Sequence, residues 1–382
     1  SAHYQIKTTI DISTISGLLP LGEFKGSIIG TNEYACISGI KISKAIKNSA
    51  SNESYYGLFS SISKDAYIEY VQFNGEFDID ISVADGNTYI GLVAGKNYGK
   101  LINVGASIAY SKVNLNDRAG HSSFGGLVGE NNGEIVQDFT LFENDNSQTR
   151  SENVDNLKAI GRLPYSGKTP RITVMMNDFV NFNYYASSSA ESSSGLATLD
   201  RNVGGVAGAN KGIIKKIDSS KFSVLGYTNY MAYSLLKVES TNIPENNLIQ
   251  NVYVGGLVGK NGDLTTTSAQ IFGGYNKLET NQTLSNVAYS RMNSGTISTE
   301  FDAGKGILVG GEVRGAGYVG GVVGSIVNIS NKNYFTGITT RTFVRGLLSN
   351  TNTALIANIS NDIDLTNAFA VQAIDDGRIL EE

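Results

Sequence analysis

Apolar and polar residues alternate along much of the chain with a period of two, which is the pattern of half-buried β-strands. The clearest stretch runs from Phe73 to Val83, and a shorter one joins Ile213 to Ile217. Long amphipathic helical patterns are hard to find before the C-terminal tail. The pattern therefore predicts an all-β protein with short strands separated by tight turns.

A glycine-rich unit recurs along the chain. Within the segments YIGLVAGKNYGKLINV (89–104) and FGGLVGENNGEIVQDF (124–139), residues 90–104 align without gaps with residues 124–138 at an offset of 34. Four further segments follow the same pattern: YGLFSSISKDAYIEYVQF (56–73), VGGVAGANKGIIKKI (203–217), VGGLVGKNGDL (254–264) and VGGVVGSIVNI (319–329). The intervals between their leading glycines are 34, 34, 79, 51 and 65 residues, so we predict insertions between the later units.

Each unit has the order strand, tight corner, strand. Gly125, Gly129 and Gly133 suit positions where φ is positive or where a neighbouring strand leaves no room for a Cβ atom. Four asparagines occupy one position of the unit and suit a left-handed or Asx-turn corner: Asn97, Asn131, Asn210 and Asn261. We predict stacked coils about 4.8 Å apart, a solenoid in which these side chains form a ladder.

The repeat resembles the GLUG-motif repeats of large bacterial surface proteins, including adhesins and the N-terminal regions of some secreted proteases. The resemblance covers most of residues 20–330 and includes GEFKGSIIG (22–30), ISGIKI (37–42) and YGLF (56–59) in the usual order. It implies a right-handed parallel β-helix or a similar solenoid in an exported protein, and it implies no catalytic residues. The chain departs from the family pattern in its long insertions and in a missing glycine after Ser325.

We predict one repeat domain over residues 1–338, with irregular insertions at 140–200 and 218–250, followed by a tail over 339–382. The tail segment NAFAVQAIDDGRILEE has a partly helical pattern. Four of its residues could face the last coil: Phe369, Val371, Ala373 and Ile374. The tail is then a capping element, or alternatively a linker toward a following domain.

Composition limits the partners and the locations that we expect for this chain. Charged residues make up 17% of the 382 residues and the formal net charge is −5, with acids and bases interspersed, so nucleic acid is not an expected partner. No apolar run approaches the roughly 18 residues of a membrane helix, so no membrane insertion is expected within this segment. Cys36 is the single cysteine, which excludes an intramolecular disulfide. We expect it in a buried strand; a reactive or intermolecular thiol is the alternative.

Two motifs imitate cofactor sites. Residues 315–320 match G-x-G-x-x-G, but neither a helix pattern nor a suitably spaced acid follows, and 255–261 is one residue too short for a phosphate-binding loop. His3 and His121 are the only histidines, so a histidine metal cluster is excluded and His121 is expected in a turn. We predict no catalytic residues and no cofactor.

Acidic residues are the remaining candidates for a metal site. Glu76, Asp78 and Asp80 project from one face of a predicted strand, where they could bind calcium, act on a polysaccharide or form a solvated acidic edge. The run from Glu143 to Asn146 is an equally weak suggestion of calcium binding.

Aromatic clusters in the two insertions are the candidate ligand contacts. Insertion 140–200 contains Phe179, Phe182, Tyr184 and Tyr185, and insertion 218–250 contains Tyr227, Tyr230 and Tyr233 at a spacing of three. Insertions on a rigid scaffold often carry function, and aromatic rings can hold sugars. The alternative is that these rings pack the insertions onto the scaffold.

The sequence thus favours a non-enzymatic, adhesin-like binding or structural module at the bacterial cell surface or outside the cell. Its expected partner is a glycan or protein of a host or neighbouring cell, or another copy of itself. The alternative is a carbohydrate-active β-helix, a polysaccharide lyase or glycosidase of the tailspike kind. Binding to ice or a crystal lattice would need ranks of Thr-x-Thr, and the chain has only TTTS (265–268).

Overall fold

The computed structural model describes residues 2–15, 20–81, 86–115, 120–142, 170–184, 200–217, 230–240, 252–262, 270–274, 307–315, 318–326, 335–336, 338–346, 358–359 and 371–373. These residues form 34 strands and one 3₁₀ helix, Phe139–Phe142, and they contain no α-helix. The prediction of an all-β protein is confirmed.

The strands form four sheets, which we number in the order in which each repeat passes through them. Sheet 1 contains Ile46–Asn48, Glu53–Tyr56, Asn87–Gly91, Ser122–Gly125, Arg201–Gly204, Val252–Gly255 and Tyr318–Gly320. Sheet 2 contains Leu21–Phe24, Phe59–Ile62, Ala94–Asn97, Val128–Asn131, Ala207–Asn210, Val258–Asn261, Val323–Ile326 and Asn358–Ile359.

Sheet 3 contains His3–Ile6, Ser27–Gly30, Tyr67–Glu69, Lys100–Ile102, Glu134–Asp138, Ile213–Ile217, Gln270–Gly274 and Phe335–Thr336. Sheet 4 contains Thr9–Asp11, Cys36–Ile42, Gln72–Ile81, Gly105–Ile108, Ser111–Leu115, Val174–Met176, Val180–Tyr184, Tyr230–Ser240, Ile307–Gly315, Ile338–Gly346 and Val371–Ala373. Neighbouring strands in the described chain are parallel except for Ile46–Asn48 and Glu53–Tyr56, which are antiparallel.

The strand register follows the sequence repeat. In sheet 1, the residues that pair in successive strands are those that the repeat aligns: Ile90, Phe124, Val203, Val254 and Val319. The chain thus returns to sheet 1 in the same register whether 34 or 79 residues lie between two units. The insertions lengthen the path between strands and leave the pairing of the strands unchanged.

Buried residues from strands of all four sheets form one hydrophobic core. Three aromatic rings illustrate its packing: the Phe124 ring lies 5.1 Å from that of Phe77 and 5.8 Å from that of Phe182. All three side chains are at most 1% exposed. Burial of such side chains stabilises a fold by about 1.5–3 kcal/mol each, so the period-two alternation also supplies much of the driving force.

The repeat glycines are required by close approach rather than by backbone conformation. A Cβ atom on Gly125 would lie 2.1 Å from the Val128 carbonyl oxygen and 2.5 Å from the Ala207 Cα. Gly129 and Gly133 meet neighbouring backbone in the same way. Positive φ among the described glycines occurs elsewhere: Gly39, Gly86, Gly262 and Gly311. The expectation of close contact is confirmed, and that of positive φ at these three glycines is wrong.

The asparagine ladder is present. The Nδ2 atom of Asn97 donates to Asn131 Oδ1 at 2.8 Å, Asn131 donates to Asn210 at 2.8 Å, and Asn210 donates to Asn261 at 2.7 Å. The four side chains are at most 2% exposed. Asn97 also closes an Asx turn by accepting from the Gly99 amide at 3.1 Å. None of the four has positive φ, so the left-handed alternative is wrong.

The tail differs from its prediction where it is described. Val371–Ala373 is a strand that pairs with the start of Ile338–Gly346, so the helical prediction is wrong for these three residues. Ile338–Gly346 itself pairs along its whole length with Ile307–Gly315, because its alternating residues continue sheet 4. Phe369 and Ile374 lie outside the described residues.

Candidate functional site

The connections between the sheets differ in length. Six times the chain passes from sheet 1 to sheet 2 through two residues, as in Leu92-Val93 and Gly126-Leu127. The segments that lead into sheet 4 include 103–104, 139–173, 218–229 and 275–306, and those that leave it include 82–86, 116–121, 185–200 and 241–251. Variable segments on a rigid scaffold are where binding residues concentrate. Sheet 4 and its two flanks are therefore the candidate functional region.

The outward positions of sheet 4, which we call the sheet 4 face, alternate with buried positions along each strand. The strand register arranges them in rows that cross the strands. Row 1 contains Asn74, Ser107, Met175, Tyr233, Gly310 and Arg341. Row 2 contains Asp78, Lys112, Asn181, Lys237, Arg314 and Arg345. Row 3 contains Asp80, Asn114, Asn183 and Glu239.

The N-terminal end of the sheet 4 face is acidic. Glu76, Asp78 and Asp80 alternate along one strand, and the Lys41 ammonium lies 3.5 Å from the Glu76 carboxylate and 3.0 Å from that of Asp78. The hydrogen bond to Asp78, together with the carboxylate charges, raises the pKa of Lys41. Because a cation already lies between two of these carboxylates, the arrangement does not favour calcium there. Among the described residues, no group of three or more His, Cys, Asp or Glu is arranged to hold a metal ion.

Basic positions cluster toward the C-terminal end of the same face: Lys237, Arg314, Arg341 and Arg345. Two of these side chains are paired with acids on their own strands. Lys237 lies 2.9 Å from the Glu239 carboxylate, and Arg314 lies 2.7 Å from that of Glu312. The hydrogen bond to Glu312 raises the pKa of Arg314. The charges of Lys237 and Arg314 are thus balanced by acids on the same face.

Two of the predicted ligand contacts lie in this region. Phe179 and Tyr230 are both half-buried. The Arg314 guanidinium lies 4.7 Å from the centre of the Phe179 ring, and the Tyr230 and Tyr233 rings meet edge to face at 5.8 Å. Each ring thus has a partner within the protein and keeps part of its surface open to solvent.

Two further predicted contacts, Phe182 and Tyr184, are buried. Phe182 is 0% exposed and Tyr184 is 2% exposed, because the alternation of Val180–Tyr184 directs both into the core. Both rings therefore pack in the core, as the packing alternative describes. Tyr185 and Tyr227 lie outside the described residues, as does the run from Glu143 to Asn146.

The sequence reasoning missed Row 2. Its members are separated in sequence by insertions of unequal length, so no fixed period connects Lys112, Asn181 and Lys237. The available signal was the alternation itself, since a polar residue between two apolar ones points away from the core. Only the register shows that these polar residues are neighbours.

A second polar cluster fills the angle between sheets 1 and 2. The Lys96 ammonium lies 2.7 Å from the Glu53 carboxylate, 3.8 Å from that of Glu130 and 4.0 Å from the centre of the Tyr89 ring. The Tyr55 hydroxyl donates to Glu53. Burial alone would raise the pKa of Glu53, but the hydrogen bonds from Lys96 and Tyr55 outweigh it and lower that pKa.

This cluster is closed to a substrate. The side chains of Lys96 and Glu130 are 9% and 7% exposed, and burial raises the pKa of Tyr89. Two carboxylates converge here, as they do in glycosidases. However, the Lys96 ammonium occupies the space between them, so no glycosidic oxygen can lie there. The arrangement is suited to holding sheets 1 and 2 together.

The ends of the segment 143–169 are fastened to sheet 3. Leu141 and Phe142 join a small apolar cluster on the outer side of this sheet, which also includes Tyr70. On the return, the Arg171 guanidinium stacks 4.5 Å from the Tyr70 ring centre and donates to the Ala35 carbonyl oxygen at 3.2 Å. Burial raises the pKa of Tyr70 to about 12, although the charge of Arg171 opposes this.

The contacts of Cys36 and His121 indicate structural roles for both residues. Cys36 is 8% exposed within the strand Cys36–Ile42, as expected for a buried strand residue, and burial raises the pKa of its thiol. His121 precedes the strand Ser122–Gly125, and its Nδ1 atom accepts from the Asp200 amide at 2.9 Å. Burial lowers the pKa of His121.

Comparison with protein-family models, with curated proteins and with solved structures gives no match. Within the described residues, no helix is long and apolar enough to span a membrane.

Proposed function

We propose that this chain is a rigid segment of an exported bacterial surface protein that presents its insertions to a binding partner and catalyses no reaction. The partner is a glycan or protein of a host or neighbouring cell. The GLUG-like repeat supports the family and the location at the cell surface. The geometry of sheet 4 and its flanks supports the display role.

The frame in this proposal is a right-handed parallel β-helix. Three properties support it: the fixed order of the four sheets, the parallel register between successive units, and the single core along the stack. Parallel strands joined by a crossover connection are right-handed in about 98% of cases, which supports the hand. Adjacent coils then lie about 4.8 Å apart.

The observation that carries the proposal is the contrast in connection length. The connection from sheet 1 to sheet 2 stays at two residues, whereas segments of up to 35 residues, such as 139–173, lead into sheet 4. A connection that only continues the frame gains nothing from such length, since ordering each added residue costs about 1–2 kcal/mol. Long segments flanking one face are instead typical of binding surfaces on rigid scaffolds.

The carbohydrate-active alternative has one supporting observation. Asp78 is a well exposed carboxylate and Asp80 follows it on the same face, with a separation of roughly 7 Å along the strand, within the range of inverting glycosidases. Release of reducing or unsaturated sugars from a panel of polysaccharides, lost in Asp78→Asn or Asp80→Asn, would favour this alternative. The proposal expects no release by the unaltered chain.

Binding experiments test the display role. A deletion of 140–200 would remove Val174–Met176 and Val180–Tyr184, which belong to sheet 4. The sharper variant replaces only 143–169, between Phe142 and Pro170, with a short Gly-Ser linker. We expect the full chain to bind members of a glycan array or immobilised matrix proteins, and this variant to bind at least tenfold more weakly.

The control replaces 263–269, which falls between a strand of sheet 2 and a strand of sheet 3 and so neither enters nor leaves sheet 4. It should bind like the unaltered chain. Full binding by the 143–169 variant would contradict a role for that insertion, and absence of binding by the full chain would contradict the display role itself. Circular dichroism checks that each variant keeps its strands.

A further inference from the structure

A strip of apolar side chains crosses the sheet 4 face between Row 1 and Row 2. The strand register places Tyr110, Phe179 and Leu235 at neighbouring positions on three successive strand levels, and we call these residues the central row. Tyr110 is 60% exposed, and the other two side chains are half-buried. The central row thus offers a ligand an apolar strip that is one side chain wide and runs across the strands.

Polar side chains flank the central row on both sides. Toward Row 1, the Asn177 Nδ2 atom donates to Ser107 Oγ at 2.8 Å. Toward Row 2, Asn181 donates to the Phe179 carbonyl oxygen at 3.4 Å, and Lys112 is exposed. Amide and hydroxyl groups that use one hydrogen bond in this way still have a donor or an acceptor for a ligand. Outward positions two residues apart on a strand are separated by about 6.6 Å, so hydroxyl groups at the edges of a ligand on the central row can reach them.

The charges of the face are mostly balanced within it. Each of three cations is paired with acids of the same face: Lys41 with Glu76 and Asp78, Lys237 with Glu239, and Arg314 with Glu312. Asp80, Asp178 and Lys112 add charges of both signs. The described side chains therefore provide no continuous run of one charge that a polyanion or a polycation would follow.

We propose that the sheet 4 face binds a neutral, β-linked polysaccharide in an extended conformation, lying across the strands along the central row. The apolar faces of successive sugar rings pack on Tyr110, Phe179 and Leu235. Adjacent strand levels lie about 4.8 Å apart, which is close to the length of one sugar residue in such a chain. This inference goes beyond the display role, because it assigns a ligand to the sheet 4 face itself and not to the insertions.

The make-up of the face favours a polysaccharide over a protein. The cores of protein interfaces are depleted in charged residues, whereas Row 2 is charged on four of its five levels from Asp78 to Arg314. The apolar strip is also narrower than the patches that bind proteins. A sugar chain is apolar on its ring faces and polar at its edges, so it matches both the central row and its flanks.

The Phe179 ring is held in position by contacts within the protein. The Arg314 guanidinium lies 4.7 Å from the ring centre and is itself bound to the Glu312 carboxylate at 2.7 Å. The backbone amide of Phe179 donates to the Asp178 carboxylate at 2.7 Å. A ligand therefore does not have to order this ring, which lowers the entropic cost of binding.

Isothermal titration calorimetry with two soluble β-linked hexasaccharides, cellohexaose and mannohexaose, tests the proposal. The unaltered chain should bind at least one of them. Its affinity should rise with oligosaccharide length up to about five residues, because the strands from Gln72–Ile81 to Ile307–Gly315 make five levels. The affinity should change less than twofold between about 0.05 M and 0.5 M salt, since the ligand is uncharged. No binding of either hexasaccharide would overturn the proposal, as would tighter binding of a heparin hexasaccharide.

Ring variants locate the site. Tyr110→Ala removes an exposed ring, so it should leave the fold intact and weaken binding of the hexasaccharide at least tenfold. Tyr110→Phe keeps the ring and should bind within about twofold of the unaltered chain. Tyr98→Ala is the control, because Tyr98 is 43% exposed and lies between a strand of sheet 2 and a strand of sheet 3. It should bind like the unaltered chain. Equal affinities for Tyr110→Ala and Tyr98→Ala would contradict a site on the central row.

The variant with 143–169 replaced separates this inference from the display role. It retains Tyr110 and Phe179, so it should keep its affinity for the hexasaccharide while it loses affinity for the partner of the insertions. Loss of hexasaccharide binding in this variant, with full binding by Tyr110→Ala, would assign the sugar to the insertion. That result would overturn the inference and leave the display role standing.

Discussion

The connection from sheet 1 to sheet 2 has the same length in every described repeat unit, whereas the segments that enter and leave sheet 4 differ from unit to unit. At the turn from sheet 1 to sheet 2, the connection has two residues in each of the six units, and its glycines contact the backbone of the neighbouring unit. The asparagine ladder lies at the end of the sheet 2 strands that follow. At sheet 4, segments of very different length enter and leave, and the outward residues change type from strand to strand.

The difference shows which positions of a repeat unit are constrained by the neighbouring units. Gly125 lies against the backbone of the next unit, and Asn131 needs a donor and an acceptor from the units on either side. A change at such a position must be matched in the adjacent units. An outward residue of sheet 4 such as Asn181 donates to the Phe179 carbonyl oxygen within its own unit, so it can change without a matched change in the adjacent units.

The largest effect should come from the glycine contacts. Gly125→Ala places a methyl group 2.1 Å from the Val128 carbonyl oxygen and 2.5 Å from the Ala207 Cα, and backbone cannot move aside cheaply. We expect the free energy of unfolding to fall by at least about 3 kcal/mol in chemical denaturation. Gly22→Ala is the control, because nothing lies within 4 Å of its Cβ position. Equal effects at the two sites would contradict the close-contact explanation.

The asparagine ladder should be next. Asn131→Ala removes the acceptor of Asn97 and the donor to Asn210 in a site where these side chains are 0% exposed. Because two buried polar groups lose a partner, we expect a loss of about 2–3 kcal/mol in the free energy of unfolding. Asn132→Ala, one residue along and half-exposed, should cost less than about 1 kcal/mol. A reversed order would show that the ladder contributes little.

The charged cluster between sheets 1 and 2 should give a smaller, pH-dependent effect. Lys96 lowers the pKa of Glu53 below its ordinary value of 4.5, so the stabilisation is present above pH 4.5 and is lost as the pH falls through the lowered value. Lys96→Met should therefore cost about 1–2 kcal/mol at neutral pH and should flatten the loss of stability in acid.

Unfolding midpoints measured between pH 7 and pH 3 test this expectation. Lys100→Met is the comparison, since the Lys100 side chain is 53% exposed and pairs with Glu134 at 3.1 Å on the surface. Its effect at neutral pH should stay below about 1 kcal/mol. A Lys96→Met curve parallel to that of the unaltered chain would show that the lowered pKa of Glu53 has another origin.

The smallest effect on stability should come from the sheet 4 face. Lys112→Ala and Asn181→Ala should change the free energy of unfolding by no more than about 0.5 kcal/mol, because both residues project outward. The same measurement by chemical denaturation applies. A large loss at either position would mean that this face contributes to the frame and is not free to serve binding.

Much of the frame was predictable. The 34-residue offset between 90–104 and 124–138 is also the offset between paired residues of neighbouring strands, and the recurrence of asparagine predicted the ladder. The aromatic candidates were predicted less well: 140–200 was predicted as an irregular insertion, whereas 174–184 contains two strands that belong to sheet 4. Phe182 looked available as part of an aromatic run, and its burial became evident only when its strand was paired with Ser111–Leu115.

The sequence by itself determined the strands, the glycine contacts and the order of the units, because these depend on local alternation and on positions that recur. Only the tertiary structure decided which outward residues lie side by side, as with Asp78, Lys112 and Asn181. The physical reason is that the pairing of two parallel strands does not depend on the length of the chain that joins them. Because the insertions differ in length, the rows of sheet 4 cannot be found from sequence spacing. The hydrogen bonds between strands fix which residues share a row.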